Sequence, residues 1–168
     1  MYLSLRVPDL LLPMLRRWTV FSTAAVPHTV TDASAPEFMV RYRNPPGLWT
    51  SVRLSQVAEV QGARMIYLSG QTPTDENYKV RSSDFCAQAN RVYDNIEIAL
   101  KSVGAGLRNV VKTTTYVTDA AHIKDLREVR NARYKNLKAT PANTLLIVKG
   151  LAEPEFLVEI DVVAAVPV

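Results

Sequence analysis

A single cysteine, Cys86, leaves no partner for an intramolecular disulfide framework. It falls in a helical pattern without metal-ligand spacing around it, and reads as a structural thiol. Histidine is almost as scarce, with only His28 and His122 present. Neither belongs to a Ser-His-Asp, Cys-His or metal-ligand constellation, so no metal is expected. A GxGxxG fingerprint and a phosphate loop are both missing, which removes the nucleotide chemistries that depend on them. No apolar run reaches the roughly 20 residues of a membrane-spanning helix. Pro8, Pro13, Pro27 and Pro36 interrupt every such run in the first part of the chain. The formal charge is a mild +4, with Lys and Arg scattered and no basic–aromatic cluster. Neither a nucleic-acid nor a membrane partner is expected from that pattern.

What is there divides near Phe38. A secretory signal would need a charged start and an unbroken apolar stretch. Asp9 and Pro13 break the stretch, and Arg16-Arg17 follow it. Three readings of residues 1–38 stay open: a poorly ordered extension, an organelle transit segment, or a start assigned upstream of a real one at Met39. The expectation is a poorly ordered extension over 1–38 and one domain over 39–168. Apolar content of 48% and charged content of 21% suit an ordinary soluble globular protein, expected in the cytoplasm.

Within the domain, Asn44-Pro45-Pro46-Gly47 is a turn signal. Ser51 to Val60 reads as a strand. Gln61-Gly62-Ala63-Arg64 reads as a hairpin connection, with Gly62 free to take positive φ. Met65-Ile66-Tyr67-Leu68 is a second strand, ending in Ser69-Gly70-Gln71. Ser82 or Ser83 offers an N-cap to a helix whose stripe is Phe85, Ala89, Val92, Tyr93, Ile96, Leu100 and Val103. Gly104 ends it. Val110 to Val117 is β-branched and aromatic, hence a strand. Asp119 caps a second helix with Ile123, Leu126, Arg130, Tyr134 and Leu137 inward, the Arg130 stem snorkelling. Thr140 to Val148 is a continuous apolar block, as in a strand buried on both faces. Phe156 to Ala165 alternates. Phe156, Val158, Ile160, Val162 and Ala164 share one face, with Glu159 and Asp161 on the other. Those two acids mark either a solvated face or a carboxylate lining a pocket. The order ββαβαββ predicts an α+β fold, a mixed sheet with both helices on one face.

Four stretches together resemble the RidA/YjgF family of imine/enamine deaminases, also called the endoribonuclease L-PSP family. They are Ser69-Gly70-Gln71 after two strands, the run from Gly106-Leu107 to Val110-Val111-Lys112-Thr113-Thr114, Asn131-x-x-Tyr134, and Pro141-Ala142 followed by Val158-Glu159-Ile160. The resemblance spans Arg43 to Val168. It implies the compact RidA-like fold, similar in shape to one class of chorismate mutase. It also implies homotrimers with a pocket at each subunit interface.

The resemblance further implies a cofactor-free hydrolysis of small imines and enamines released by pyridoxal-phosphate enzymes. An Arg grips the substrate carboxylate, and a Glu on the last strand positions a water. Carried onto this chain, Glu159 is the catalytic Glu, and Asn131, Ser69 and Gly70 are substrate-binding positions. At three positions the chain departs. Asn143 stands where the family has the Arg, Leu145 where it has a Cys, and Leu54 where it has a Tyr. Asn143 remains a substrate-binding position, with two neutral donors and an acceptor in place of a charge. Losing a bidentate charge-assisted pair costs about 2–5 kcal/mol when the partner stays buried, so standard 2-aminoacrylate deamination is expected to be poor. The alternatives are a non-catalytic member binding a small metabolite or a partner protein, and an RNA-directed activity, which the absent basic–aromatic cluster disfavours.

Overall fold

The computed structural model describes residues 36–168, Val52 excepted. The expected N-terminal extension lies outside these residues, apart from Pro36 to Phe38. Six strands and two helices follow: β1 (Met39–Arg43), β2 (Val57–Gln61), β3 (Ala63–Gln71), α1 (Phe85–Lys101), β4 (Val110–Val117), α2 (Ile123–Tyr134), β5 (Ala142–Ile147) and β6 (Val158–Pro167). The fold is α+β with a mixed sheet, as expected, and one strand more at the start.

That additional strand corrects the expected hairpin. β2 pairs antiparallel with β1, from Met39 opposite Gln61 to Arg43 opposite Val57. β3 joins a different, four-stranded sheet of order β3-β6-β4-β5. Gly62 does turn the chain with φ 58°, but it turns it from one sheet into the other. A Cβ there would strike the Pro36 carbonyl, so the corner requires glycine.

In the main sheet β6 runs antiparallel to both β3 and β4. β4 and β5 are parallel, and α2 makes the crossover such a pair needs. The β6 alternation holds: Val158, Ile160, Val162 and Ala164 are buried against the helices, with Glu159 and Asp161 opposite. The α1 stripe closes over them through Ala89, Val92, Tyr93, Ile96 and Leu100. Val103 lies beyond the helix end and is exposed. Asp84, not Ser82 or Ser83, caps α1, accepting from the Ala87 amide at 2.8 Å. Asp119 caps the short turn Ala120–His122 that leads into α2. His122 stacks on Phe85 with ring centroids 4.2 Å apart.

The expectation that β5 is buried on both faces fails. β5 is an edge strand, and Leu146 and Ile147 are exposed. An apolar run left exposed on an edge strand is a surface on which another chain can pair. Thr113 and Thr115 are buried on the helix side, opposite Val162 and Ile160. The outward face instead carries Lys112, Thr114, Tyr116, Glu159 and Asp161, because the sheet pairs Thr114 with Asp161 and Tyr116 with Glu159.

Candidate active site

On the helix side a cavity of about 630 Å³ opens between α2, β5 and the loop before β2. The loop is held there twice. Buried Ser55 donates to the Thr140 carbonyl at 2.9 Å, and the Arg130 guanidinium donates to the Arg53 carbonyl at 2.7 Å. Leu54, Asn143 and Leu145 line one part of the cavity, and Leu126, Arg127, Arg130 and Asn131 line the α2 wall. All three positions where the chain departs from the RidA pattern therefore lie in one cavity, together with Asn131.

Asn143 is not free to turn. Its Nδ2 donates to Thr113 Oγ1 at 2.8 Å and to Thr115 Oγ1 at 3.5 Å. Asn143 stands in register with Thr113, and Leu145 with Thr115, on this one face. With Nδ2 engaged, the Oδ1 acceptor is the group left to meet a ligand.

Glu159 lies on the other side of the sheet. Tyr116 is its cross-strand neighbour, and Tyr116 donates its hydroxyl to Asp161 Oδ2 at 2.9 Å. Gly70 completes this second cluster, because a Cβ there would collide with the Glu159 carboxylate. Ser69, next to it, is exposed. Burial raises the Glu159 pKa above the ordinary value, and the Asp161 charge adds to the rise. The Tyr116 hydroxyl is also pushed up, chiefly by its hydrogen bond to Asp161 and then by the Asp161 charge.

The expected site residues thus form two groups. Asn131 and Asn143 share the helix-side cavity, whereas Glu159, Gly70 and Ser69 belong to the outward-face side of the sheet. Asn143 pairs with Thr113 and Thr113 with Val162, so these share the helix-side face, whereas Glu159, three residues before Val162 on β6, is on the opposite face and does not line the cavity. The Thr113–Thr115 brace was legible as an i, i+2 pair. The Arg127, Arg130 and Asn131 wall was legible as i, i+3, i+4. Neither pattern says what it faces, so of these residues the sequence marks only Asn131 as a site position, and Thr113, Thr115, Arg127 and Arg130 are added by the structure. Among the described residues no cluster of three His, Cys, Asp or Glu could hold a metal, and no helix is long and apolar enough to cross a membrane.

The sequence profile of the endoribonuclease L-PSP family matches residues 49–166, and the chain belongs to this family, the RidA/YjgF family of its motifs. A RutC family protein of Aquifex aeolicus is 32% identical over 113 residues, which is 66% of this chain and 86% of that one. The 2-iminobutanoate/2-iminopropanoate deaminase of Salmonella typhimurium is 28% identical over 101 residues, covering 60% and 78%. Among solved structures, a Rid-family protein of unknown function from Yersinia pestis aligns with TM-score 0.70 at 29% identity, covering 76% of this chain and 98% of that one.

Proposed function

We propose that the chain hydrolyses a small reactive imine or enamine metabolite at a pocket that two copies of the chain complete. The observation that carries the reading is the division of the family-matched residues between two sheet faces. The cavity with Asn131 and Asn143 opens on one face, and a half-buried carboxylate of raised pKa stands on the other. A second copy that brings its Glu159 face to the first copy's cavity assembles one site from both. The family homotrimer is the arrangement that supplies this.

The chemistry asks little of the protein. Water adds to the C=N carbon, giving a carbinolamine. That intermediate loses ammonia and leaves a carbonyl. An enamine first takes a proton at carbon to become the imine. Glu159 holds the attacking water, takes its proton and returns it to the departing nitrogen. The raised pKa brings the carboxyl closer to the range in which it both accepts and gives a proton. Asn143 offers an acceptor where the family offers a guanidinium, so 2-aminoacrylate is a poor substrate.

The test is a coupled assay that generates a series of small imines in place and follows their decay with wild type and Glu159→Ala. Decay accelerated by wild type and not by Glu159→Ala supports the reading. Equal decay with both overturns Glu159 as the catalytic group. No acceleration of any imine leaves the non-catalytic metabolite binder as the better account.

A further inference from the structure

The helix-side cavity has lost the family's Arg on β5 but is not short of guanidinium groups. Arg53, Arg127 and Arg130 all line it, and no Asp or Glu does. Among the described residues none of the three makes an ion pair. Three cations around one cavity make its potential positive, screened where they are solvated, and so favour an anion among them. Arg127 and Arg53 are exposed, whereas Arg130 is half-buried and already fixed by its bond to the Arg53 carbonyl. One guanidinium has five donors, so that bond leaves most of the fork available. The rest of the wall is apolar, from Leu54, Leu126 and Leu145.

We infer that Arg130, supported by Arg53 and Arg127, is the anion anchor of this cavity, and that the ligand is an organic carboxylate with an apolar body. The inference rests on the pocket proposed above and deepens it. A guanidinium on α2 holds the anion across the cavity from β5, where Asn143 stands. The carboxylate therefore lies against the helix, and the body of the molecule runs along the leucines toward the Asn143 Oδ1 acceptor. A cavity of about 630 Å³ has room for such a body. It is more than a three-carbon acid fills, since sites of about 300–1,000 Å³ take drug-sized ligands. The carboxylate preference of the family would thus be kept with its charge moved to another element, and the preferred acid would be longer.

The probes are benzoate, its neutral counterpart benzamide, and acetate, titrated calorimetrically against the full chain at low salt. Wild type should bind benzoate about tenfold or more tightly than benzamide, the worth of one charge-assisted pair. It should bind acetate more weakly than benzoate. Arg130→Gln should erase the advantage of benzoate over benzamide, and Arg130→Lys should keep part of it. Because Arg130→Gln also removes a bond to the loop, Arg53→Gln with Arg127→Gln is the second variant. It leaves the Arg130 bond in place, and should weaken benzoate several-fold while leaving benzamide unchanged. Equal binding of benzoate and benzamide to wild type overturns the inference. So does undiminished benzoate binding by Arg130→Gln, or no benzoate binding at all. The imine reading fails separately, as absent turnover with the anion preference intact.

Discussion

Gln88 is the buried polar residue through which α1 holds the start of β6, and with it Glu159. Its Nε2 donates to the carbonyls of Ser82 and Glu155, both at 2.9 Å, and its Oε1 accepts from the Leu157 amide at 3.0 Å. The side chain is 2% exposed. Gln88→Leu fills a similar volume and leaves three backbone groups without that partner. Leu157 and Ser82 are half-buried, and Glu155 is exposed and can turn to water. A lost partner costs about 1–3 kcal/mol where water cannot replace it and less where it can. About 3 kcal/mol is therefore expected in all. For a domain of this size that lowers Tm by roughly 10 °C. The assay is thermal unfolding of wild type and Gln88→Leu at one protein concentration, so that any self-association acts equally on both. Imine turnover measured well below Tm should fall too, because Leu157 is two residues from Glu159. A Tm within 2–3 °C of wild type, below the shift of even one buried unpaired group, would refute the clamp.

Three further outcomes follow from the site. Turnover should rise with pH through a Glu159 pKa above the ordinary value near 4.5. A raised carboxyl pKa favours the folded state at low pH, and that contribution is lost as pH rises through the folded value. Glu159→Gln should then be more stable than wild type at neutral pH, with the gain vanishing below about pH 4, while turnover is lost. Equal stability at both pH values would remove the buried-carboxylate argument. Gly70→Ala places a methyl group on the Glu159 carboxylate, so it should cut turnover at least tenfold with a smaller effect on Tm. Retained activity would mean that Glu159 has no need of that space. Asn143→Arg should raise activity on 2-aminoacrylate modestly, because Thr113 and Thr115 must release the position and Leu54 and Leu145 remain. Robust wild-type activity on 2-aminoacrylate would overturn the disabling role given to Asn143.

The periodicity of α1 and the alternation of β6 were readable directly, because both elements have one wet and one dry side. β1 was not, since Met39–Arg43 is five residues long and its partner β2 lies beyond a proline turn. The same missing partner made Gly62 look like a hairpin. On β4 the sequence Lys112-Thr113-Thr114-Thr115-Tyr116 has no apolar side to fix its direction, so which threonines are buried had to come from the pairing with β6. Each family-matched residue could be named from sequence. Their division between two faces could not, because it depends on the register of β4 against both β5 and β6.

If one site draws on two copies of the chain, two variants that are each inactive should complement one another. Glu159→Ala and Asn131→Ala should each lose most imine turnover alone. Unfolded together in equal amounts and refolded, they form mixed oligomers. Some interfaces then pair an intact cavity from one copy with an intact Glu159 from another. In a closed ring of randomly mixed copies roughly a quarter of the sites are restored. Recovery near that fraction is expected from the mixture, and none from either variant refolded by itself. A mixture no more active than its components, with light scattering reporting a monomer, would contradict the two-copy site.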